Sequence, residues 1–468
     1  MHKVERPVQP KSLCLHNLPV EILLAIFDLY TSDIKTLLRL ALTCHKFNII
    51  IDKHYLYKDV VISSVTSFSK FAVCHLPLFT SSFTKKLKLN EPSTKINYIQ
   101  TFHLINPPTK DSINHNFKVA GSYNVENVHN RDVLNYQEYI ECFLTLLHES
   151  YGIKTITISE ISPSSSFSTE LITSSSTASS SLQFWKKEKP RKSLDKLVLK
   201  TQSGWSIPFK LSHISLFISH FANFNHLVLH NFIIDDYKLT VSFPTLTKTI
   251  SIKKLSLNSC IFANTLRKLN CDKKMCQLFS DVSSLELNNI LSVNDLSVID
   301  FIKQNHKLSQ LIIDFSSPVF YNNEKKFNFA RYNSFFKLVS SGTGGYSTLK
   351  DMVLTKFDLF QYFDHQHEPA SKSPTNNDPN IDPSETETFE YLLTYLGQIK
   401  NLTIVLTKRI KRFQTCKNCG FTESSDNDKD MSLLTVLEWS IILRPLLSAN
   451  ENCKVRIKDH NHTTLFTR

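Results

Sequence analysis

Long apolar runs are the first thing this 468-residue sequence lacks. No stretch approaches the roughly 20 consecutive apolar residues that a membrane-spanning helix requires. The strongest late one, Trp439 to Leu447, is short and broken by Arg444 and Pro445. The opening MHKVERPVQPKSLCL is polar and proline-bearing, without the apolar centre of a secretory leader. Ten cysteines are scattered along the chain, too far apart for the disulfide framework of a small secreted domain. They read as reduced, mostly packed thiols. These absences predict a soluble chain of the cytoplasm and/or nucleus.

Glycine is scarce too, 8 in all, and concentrates only in Ser341-Gly342-Thr343-Gly344-Gly345. That cluster lacks the Lys-Ser/Thr ending of a phosphate loop, so it reads as a turn ahead of a strand at Met352. No nucleophile elbow, kinase or zinc-protease pattern is present. Cys416 and Cys419 form a CxxC, but zinc takes four ligands and there is no second CxxC. Cys271 and Cys276 lie several strands earlier, and His365 and His367 fall in a polar segment. The reading is of a non-enzyme with no catalytic residues, no metal and no cofactor.

What is present is a chain 41% apolar and 21% charged, with a formal net charge of +12. Such a length suggests at least two structural units. The positive balance favours acidic partners in principle, but spread this thinly it bears more on solubility than on a specific ligand. Two basic clusters, Lys186 to Lys192 and Lys408 to Arg412, read as solvated charge runs, with nuclear import the alternative for the first. Three stretches cannot bury enough apolar surface to offset their ordering entropy and are expected to be disordered insertions. They are Ser162 to Ser181, Asp364 to Thr388 and Gly420 to Asp430.

Between them three apolar positions recur as φ-x-x-φ-x-φ. The copies are Ile153/Ile156/Ile158, Leu194/Leu197/Leu199, Phe224/Leu227/Leu229, Ile252/Leu255/Leu257, Val282/Leu285/Leu287, Leu308/Leu311/Ile313, Leu349/Met352/Leu354 and Ile399/Leu402/Ile404, with a degraded one at Leu87 and Leu89. From 197 to 311 the middle positions are spaced by 30, 28, 30 and 26 residues, then by 41 and 50. Alternation puts two apolar residues on one face of a short strand. The intervening chain must return to start the next strand beside it. Leu211 to Phe221, Leu266 to Phe279 and Leu296 to Phe301 carry the three-to-four spacing of helices that could do so. The repeat resembles the leucine-rich repeat, which implies a solenoid with parallel strands on its concave face and helices on its convex face. That family usually places Asn or Cys three residues after the last strand Leu. Cys260 fits, whereas Phe232, Ile290 and Phe357 do not. The alternative is an ordinary α/β domain with one shared core.

The sharpest local signal is Asn17 to Val60. Pro19 suits a first helical position and Glu21 the positive end of a helix dipole. Ile22, Leu23, Ile26, Phe27 and Tyr30 fall on one helical face. A second helix from Thr31–Asp33 places Leu37, Leu40, Ala41, Cys44 and Phe47 on a common side, and a third carries Ile49 to Tyr57. Three short helices cannot enclose this many apolar residues, so the surplus needs a partner or the rest of the chain. Leu18, Pro19, Glu21, Ile22, Leu23, Ile26 and Phe27, then Leu40, Cys44 and Phe47, then Leu56 and Tyr57, resemble the F-box. The stretch from Ile26 to Cys44 is about two residues longer than that family's pattern. The resemblance implies that these twelve residues bind a Skp-type adaptor and, through it, a cullin and a RING subunit.

The expected organisation is therefore a flexible 1–12, a three-helix F-box at 13–60, and a repeat domain at 61–468 that receives a target protein. The positions between the inward residues form rows across the strands: Val198, Val228, Ser256, Glu286, Ile312 and Val353; Lys196, His226, Lys254, Ser284, Gln310 and Asp351; Lys200, His230, Asn258, Asn288, Asp314 and Thr355. Lys196, Val198, Val228, His230, Lys254, Ser256, Ile312 and Val353 are the candidate target-binding residues, suited to an apolar anchor with acidic or phosphorylated neighbours. Valine's preference for strands explains the same residues without a ligand. A Skp-bound scaffold or trafficking factor outside the cullin complex, and a nucleic-acid-associated factor, are the alternative functions.

Overall fold

The computed structural model describes residues 14–31, 33–76, 94–107, 136–162, 192–202, 209–218, 221–234, 250–262, 282–289, 307–315, 349–357, 399–406, 436–444, 447 and 452–468. The three polar insertions beyond Ser162, the glycine cluster, Cys416 and Cys419, the basic cluster at 408–412, and the return segments at 266–279 and 296–301 lie outside these residues. The chain divides into two compact units, Met1–Thr157 and Ile158–Arg468.

The first unit begins with a 3-10 turn, Leu15–Asn17, followed by α1 (Val20–Asp28), α2 (Ile34–Ala41) and α3 (His45–Ile51). A π-helical turn, Asp52–Leu56, extends α3 towards β1 (Asp59–Ile62). Next come α4 (Val65–His75), β2 (Thr101–Ile105), α5 (Tyr136–Glu149) and β3 (Thr155–Ile161), the last of which carries the chain into the second unit. The helical domain expected over 13–60 is thus embedded in a larger unit. α4 starts at a capping box in which Ser64 accepts from the Ser67 N–H and Ser67 from the Ser64 N–H. Its Phe68 meets Tyr139 and Phe143 of α5 at ring distances of 4.6 and 6.2 Å, and Phe102 of β2 closes the cluster. β1 and β2 pair in parallel, Asp59 opposite Thr101. The apolar pattern here is Ile99/Phe102/Leu104, all buried, a copy displaced from the one expected at Leu87 and Leu89, which lie outside the described residues.

The second unit continues with β4 (Lys192–Thr201), β5 (Phe209–Lys210), a 3-10 turn at Leu211–Ile214 running into α6 (Ser215–Ile218), β6 (Phe221–His230) and β7 (Phe232–Ile234). Further along are β8 (Ser251–Asn258), β9 (Ile261–Phe262), β10 (Ser284–Asn288), β11 (Gln310–Asp314), β12 (Asp351–Phe357) and β13 (Asn401–Leu406). The unit ends with α7 (Val436–Ile442), β14 (Lys454–Lys458) and β15 (Thr464–Thr467). The strands lie in the order β4-β6-β8-β10-β11-β12-β13-β14-β15. Each of these pairings is parallel except that of β14 with β15. The sequence repeat sets the register: Leu197, Leu227, Leu255, Leu285, Leu311, Met352 and Leu402 stand side by side and are buried. A one-residue slip would turn this row to the opposite face, and each fully buried leucine contributes about 2 kcal/mol against that. Of the expected return helices, the first forms as α6 with its preceding turn, but β6 has begun by Phe221.

Six strands carry the same device at or just past their ends. Asn106, Glu160, Asn231, Ser259, Asn289 and Lys356 all have positive φ, between 51° and 61°. Each stands two residues after an inward residue, namely Leu104, Ile158, Leu229, Leu257, Leu287 and Leu354. The left-handed residue adds one position to the strand edge and bends the chain. Buried residues follow it: Pro107, Ile161, Phe232, Cys260 and Phe357. After Asn231 and Ser259 the bent chain forms β7 and β9, which join β5 in a second, parallel three-stranded sheet. Cys260 donates from Sγ to the Leu229 carbonyl at 3.5 Å, linking one turn to its neighbour.

Candidate functional site

Two features of the described residues present chemistry to a partner, one in each unit. In the first, α1, α2 and α3 enclose a small core of Leu23, Phe27, Leu37, Ala41, Phe47, Ile50 and Ile51. The Phe27 and Phe47 rings meet edge-on at 5.3 Å. Asp33 caps α2, accepting from the N–H groups of Lys35 and Thr36 at 3.1 and 3.2 Å. The Thr36 hydroxyl also donates to it, and these bonds hold its carboxyl below the ordinary value. Lys46 donates to the carbonyls of His16 and Leu18 at 3.0 and 2.7 Å, tying the entry turn to α3. Tyr55 donates to Asp28 at 2.7 Å and fixes the π-helical turn against α1.

This core corrects the sequence reading in three respects. Pro19 caps α1 from outside, with an extended ψ of 152°, and does not occupy its first position. Cys44 and Phe47 belong to α3, Cys44 as its cap. Leu23, Phe27 and Phe47 are interior and pack within the bundle itself. Leu18, Ile26, Leu40, Cys44 and Leu56 are half-buried against the same core. Tyr57 lies beneath Lys95, whose ammonium is 5.1 Å from its ring centroid, and Lys95 pairs with the buried Asp52 at 2.8 Å. Of the twelve residues, Pro19, Glu21 and Ile22 are exposed.

Other apolar side chains of the bundle stand in solvent: Leu15, Val20, Leu29, Tyr30, Ile34, Leu38, Leu42 and Ile49. Ile34, Leu38 and Leu42 recur every four residues along α2 and its cap, beside the inward Leu37 and Ala41. The sequence held the signal for them: α2 is apolar on two sides, and a three-helix core can use only one.

In the second unit the rows between the inward residues align across the strands as the repeat spacing predicts. Val198, Val228 and Ser256 are nevertheless buried, contrary to the expectation of an open row. Each is short and stands between longer side chains two residues either side, at 196 and 200, 226 and 230, and 254 and 258. Ile312 and Val353 are half-buried, as are Lys196, His230 and Lys254.

Lys254 is not a free cation either. It pairs with Glu286 at 2.8 Å. The Glu286 carboxylate also accepts from Ser256 Oγ at 2.8 Å and from Asn288 at 2.9 Å. Burial alone would raise its pKa, but Lys254 and these two donors outweigh burial and bring it to about 2. Because Ser256 gives its proton to Glu286, it accepts from His226 Nε2–H, 2.7 Å away. Asn288 donates to Asn258 Oδ1 at 2.7 Å, and Asn258 donates to His230 Nε2 at 3.4 Å, leaving the His230 proton on Nδ1. Burial and the lysines at 254 and 196 push His226 down to about 4. Burial with Lys200 and Lys196 does the same to His230.

His226, Ser256 and Glu286 are the residue types of a hydrolytic triad in the wrong order. The carboxylate grips the serine, not the imidazole, and with a pKa near 2 it is a feeble base. His226 is occupied as a donor and Ser256 is buried. The arrangement holds side chains in place and activates no nucleophile.

A self-contained helical core with an uncovered apolar face is the build of a protein-docking module. Residues 15–63 match the family model for an F-box-like domain, and the chain carries such a domain. Among curated proteins, none matches the chain. No helix among the described residues is long and apolar enough to cross a membrane.

Proposed function

We propose that this protein is the substrate-recognition subunit of a cullin–RING ubiquitin ligase. The F-box-like domain binds a Skp-type adaptor, which links it to the cullin and RING subunit. The parallel-strand region, read as a divergent leucine-rich-repeat solenoid, holds a target protein for ubiquitination and degradation. The chain is non-catalytic and works in the cytoplasm and/or nucleus. The observation that carries this reading is the apolar face left by Ile22, Leu29, Ile34, Leu38 and Leu42 outside a complete helical core. Water-exposed apolar patches on small bundles mark association sites.

The test is purification of the tagged full chain from cells, probed for both a Skp-type adaptor and a cullin. Recovery of both supports a ligase subunit. Adaptor without cullin favours a Skp-bound scaffold or trafficking factor, and recovery of neither refutes the adaptor reading.

A further inference from the structure

Across β4 and β6 two lysine–histidine pairs frame a pair of short valines. Lys196 pairs in register with His226, and Lys200 with His230, across β4 and β6; Val198 and Val228 lie between the two pairs. Lys254, on the next strand, is neutralised by Glu286, but Lys196 and Lys200 have no ion-pair partner among the described residues. Positions 196 and 200 are separated by about 13 Å along the strand, at 3.3 Å per residue.

We propose that this frame is the docking site for an extended segment of a partner protein that carries carboxylates at positions i and i+4 and a small apolar residue at i+2. The inference rests on the reading of the strand region as a target-binding surface. In an extended chain the side chains at i, i+2 and i+4 face one way, and the outer two are also about 13 Å apart. The spacing of the anions therefore matches that of the lysines, with the middle residue set over Val198 and Val228. Val198 and Val228 are nearly buried, so the middle residue meets little apolar surface and a small one suffices. Each end of the frame offers one formal positive charge, because both histidines are neutral at pH 7. A singly charged carboxylate balances one lysine; a doubly charged phosphate would be left with excess negative charge. The bond His226 donates to Ser256 and the one His230 accepts from Asn258, with Ser256 and Asn258 fixed in turn by Glu286 and Asn288, hold the two imidazoles in place before a ligand arrives.

The test uses the full chain, with its adaptor where the two co-purify, and fluorescein-labelled peptides followed by anisotropy. The probe is Gly-Glu-Ser-Val-Ser-Glu-Gly. Its comparators are the Gln-for-Glu peptide, an isomer with adjacent glutamates, Gly-Ser-Val-Glu-Glu-Ser-Gly, and the version with phosphoserine in place of both glutamates. The spaced diglutamate peptide should bind best. Lys196→Gln with Lys200→Gln should weaken it about tenfold or more, the scale of losing charge-assisted hydrogen bonds. Lys454→Gln with Lys458→Gln, at the far end of the same rows, should leave it unchanged. Tighter binding of the phosphoserine peptide, equal binding of the adjacent-glutamate isomer, or an unaltered affinity in the Lys196/Lys200 variant would each overturn the proposal. Adaptor recovery is scored in the same samples. Adaptor retained without peptide binding sinks this inference alone, and peptide binding without adaptor sinks the ligase reading alone.

Discussion

Leu37 and Leu38 are neighbours on α2 with opposite fates, and substituting each separates folding from docking. Leu38 is 44% exposed and Leu42, one turn on, is 87% exposed. At about 2 kcal/mol for the complete burial of a leucine, the two together could contribute about 2 kcal/mol to an adaptor complex after allowing for the β-carbon that alanine keeps. Leu38→Ala with Leu42→Ala should then weaken adaptor affinity about 30-fold. Alanine is the best helix former, so α2 should remain intact. Leu37, 1% exposed, touches the bundle core, and Leu37→Ala should lower stability by about 2–5 kcal/mol through the cavity it leaves. Isothermal titration with purified adaptor measures the first effect, and circular dichroism melting of the same samples measures the second. Ile26 would be a poorer probe, because it packs on the core and confounds the two. A folded Leu38/Leu42 variant that keeps adaptor affinity within about threefold would refute the outward face as the docking surface.

The strand region should lose stability in two acid steps. His226 and His230 are depressed from 6.5 to about 4, so the stability they confer above pH 6.5 falls away as the pH drops from 6.5 towards 4. Glu286, depressed from 4.5 to about 2, adds a second loss below pH 4.5. Each of the three groups is nominally worth about 3 kcal/mol, and about half that once solvent screening at half-buried sites is allowed for, so the two-histidine step is about twice the Glu286 step. The fall in urea midpoint between pH 6.5 and 4.5 should become shallower in a His226→Gln/His230→Gln variant, and an unchanged slope would count against the network. In the first unit, a Cβ on Gly152 would collide with the Asn97 and Ile99 carbonyl oxygens, both rigid backbone. Gly152→Ala should therefore cost about 2 kcal/mol or more, measured as a fall in the melting midpoint. Removing the partner of the buried Asp52 by Lys95→Met should cost about 3 kcal/mol, and Asp52→Asn in the same background should recover part of it.

Much of the strand architecture was legible because one pattern carries both position and register. Leu197 to Leu402 share a period-two apolar alternation, and parallel pairing can bury those side chains together only in the observed alignment. The three N-terminal helices were legible for a similar reason: Leu23 with Phe27, and Leu37 with Ala41, repeat at helical spacing. What sequence could not decide was which of several apolar faces turns inward. Ile22 and Leu23 are adjacent and equally apolar, and only packing against the other helices decides that Leu23 is interior. Nor could it show that Lys254 is neutralised, because Glu286 lies on another strand, 32 residues on in the sequence. α4 opens on a serine–serine capping box, weaker in sequence than the usual Ser/Thr-x-x-Glu.

The mismatch with the leucine-rich pattern at Phe232 and Phe357 has a structural reason. A regular strand end needs no special residue: after Ile313 and Ile404 the chain reaches buried Phe315 and Leu406 two positions on. Where a left-handed residue intervenes, the buried residue comes three positions on, as at Phe232, Cys260 and Phe357. The pairing of β12 with β13 records the two lengths side by side, since its register slips between Thr355 and Phe357 to set Phe357 opposite Leu406. Asparagine tolerates the left-handed region better than most residues, so Asn106, Asn231 and Asn289 were readable marks of this bend. Glu160, Ser259 and Lys356 occupy it without that preference. Glycine would fit all six places at no steric cost, yet none of the chain's 8 glycines is used there. Two of the bends are held by the sheet itself: Asn231 N–H donates to the Asn258 carbonyl at 2.9 Å and Ser259 N–H to that of Asn288 at 3.0 Å. These two bends are thus fixed by their neighbours, and their spacing cannot be read apart from the strand beside them.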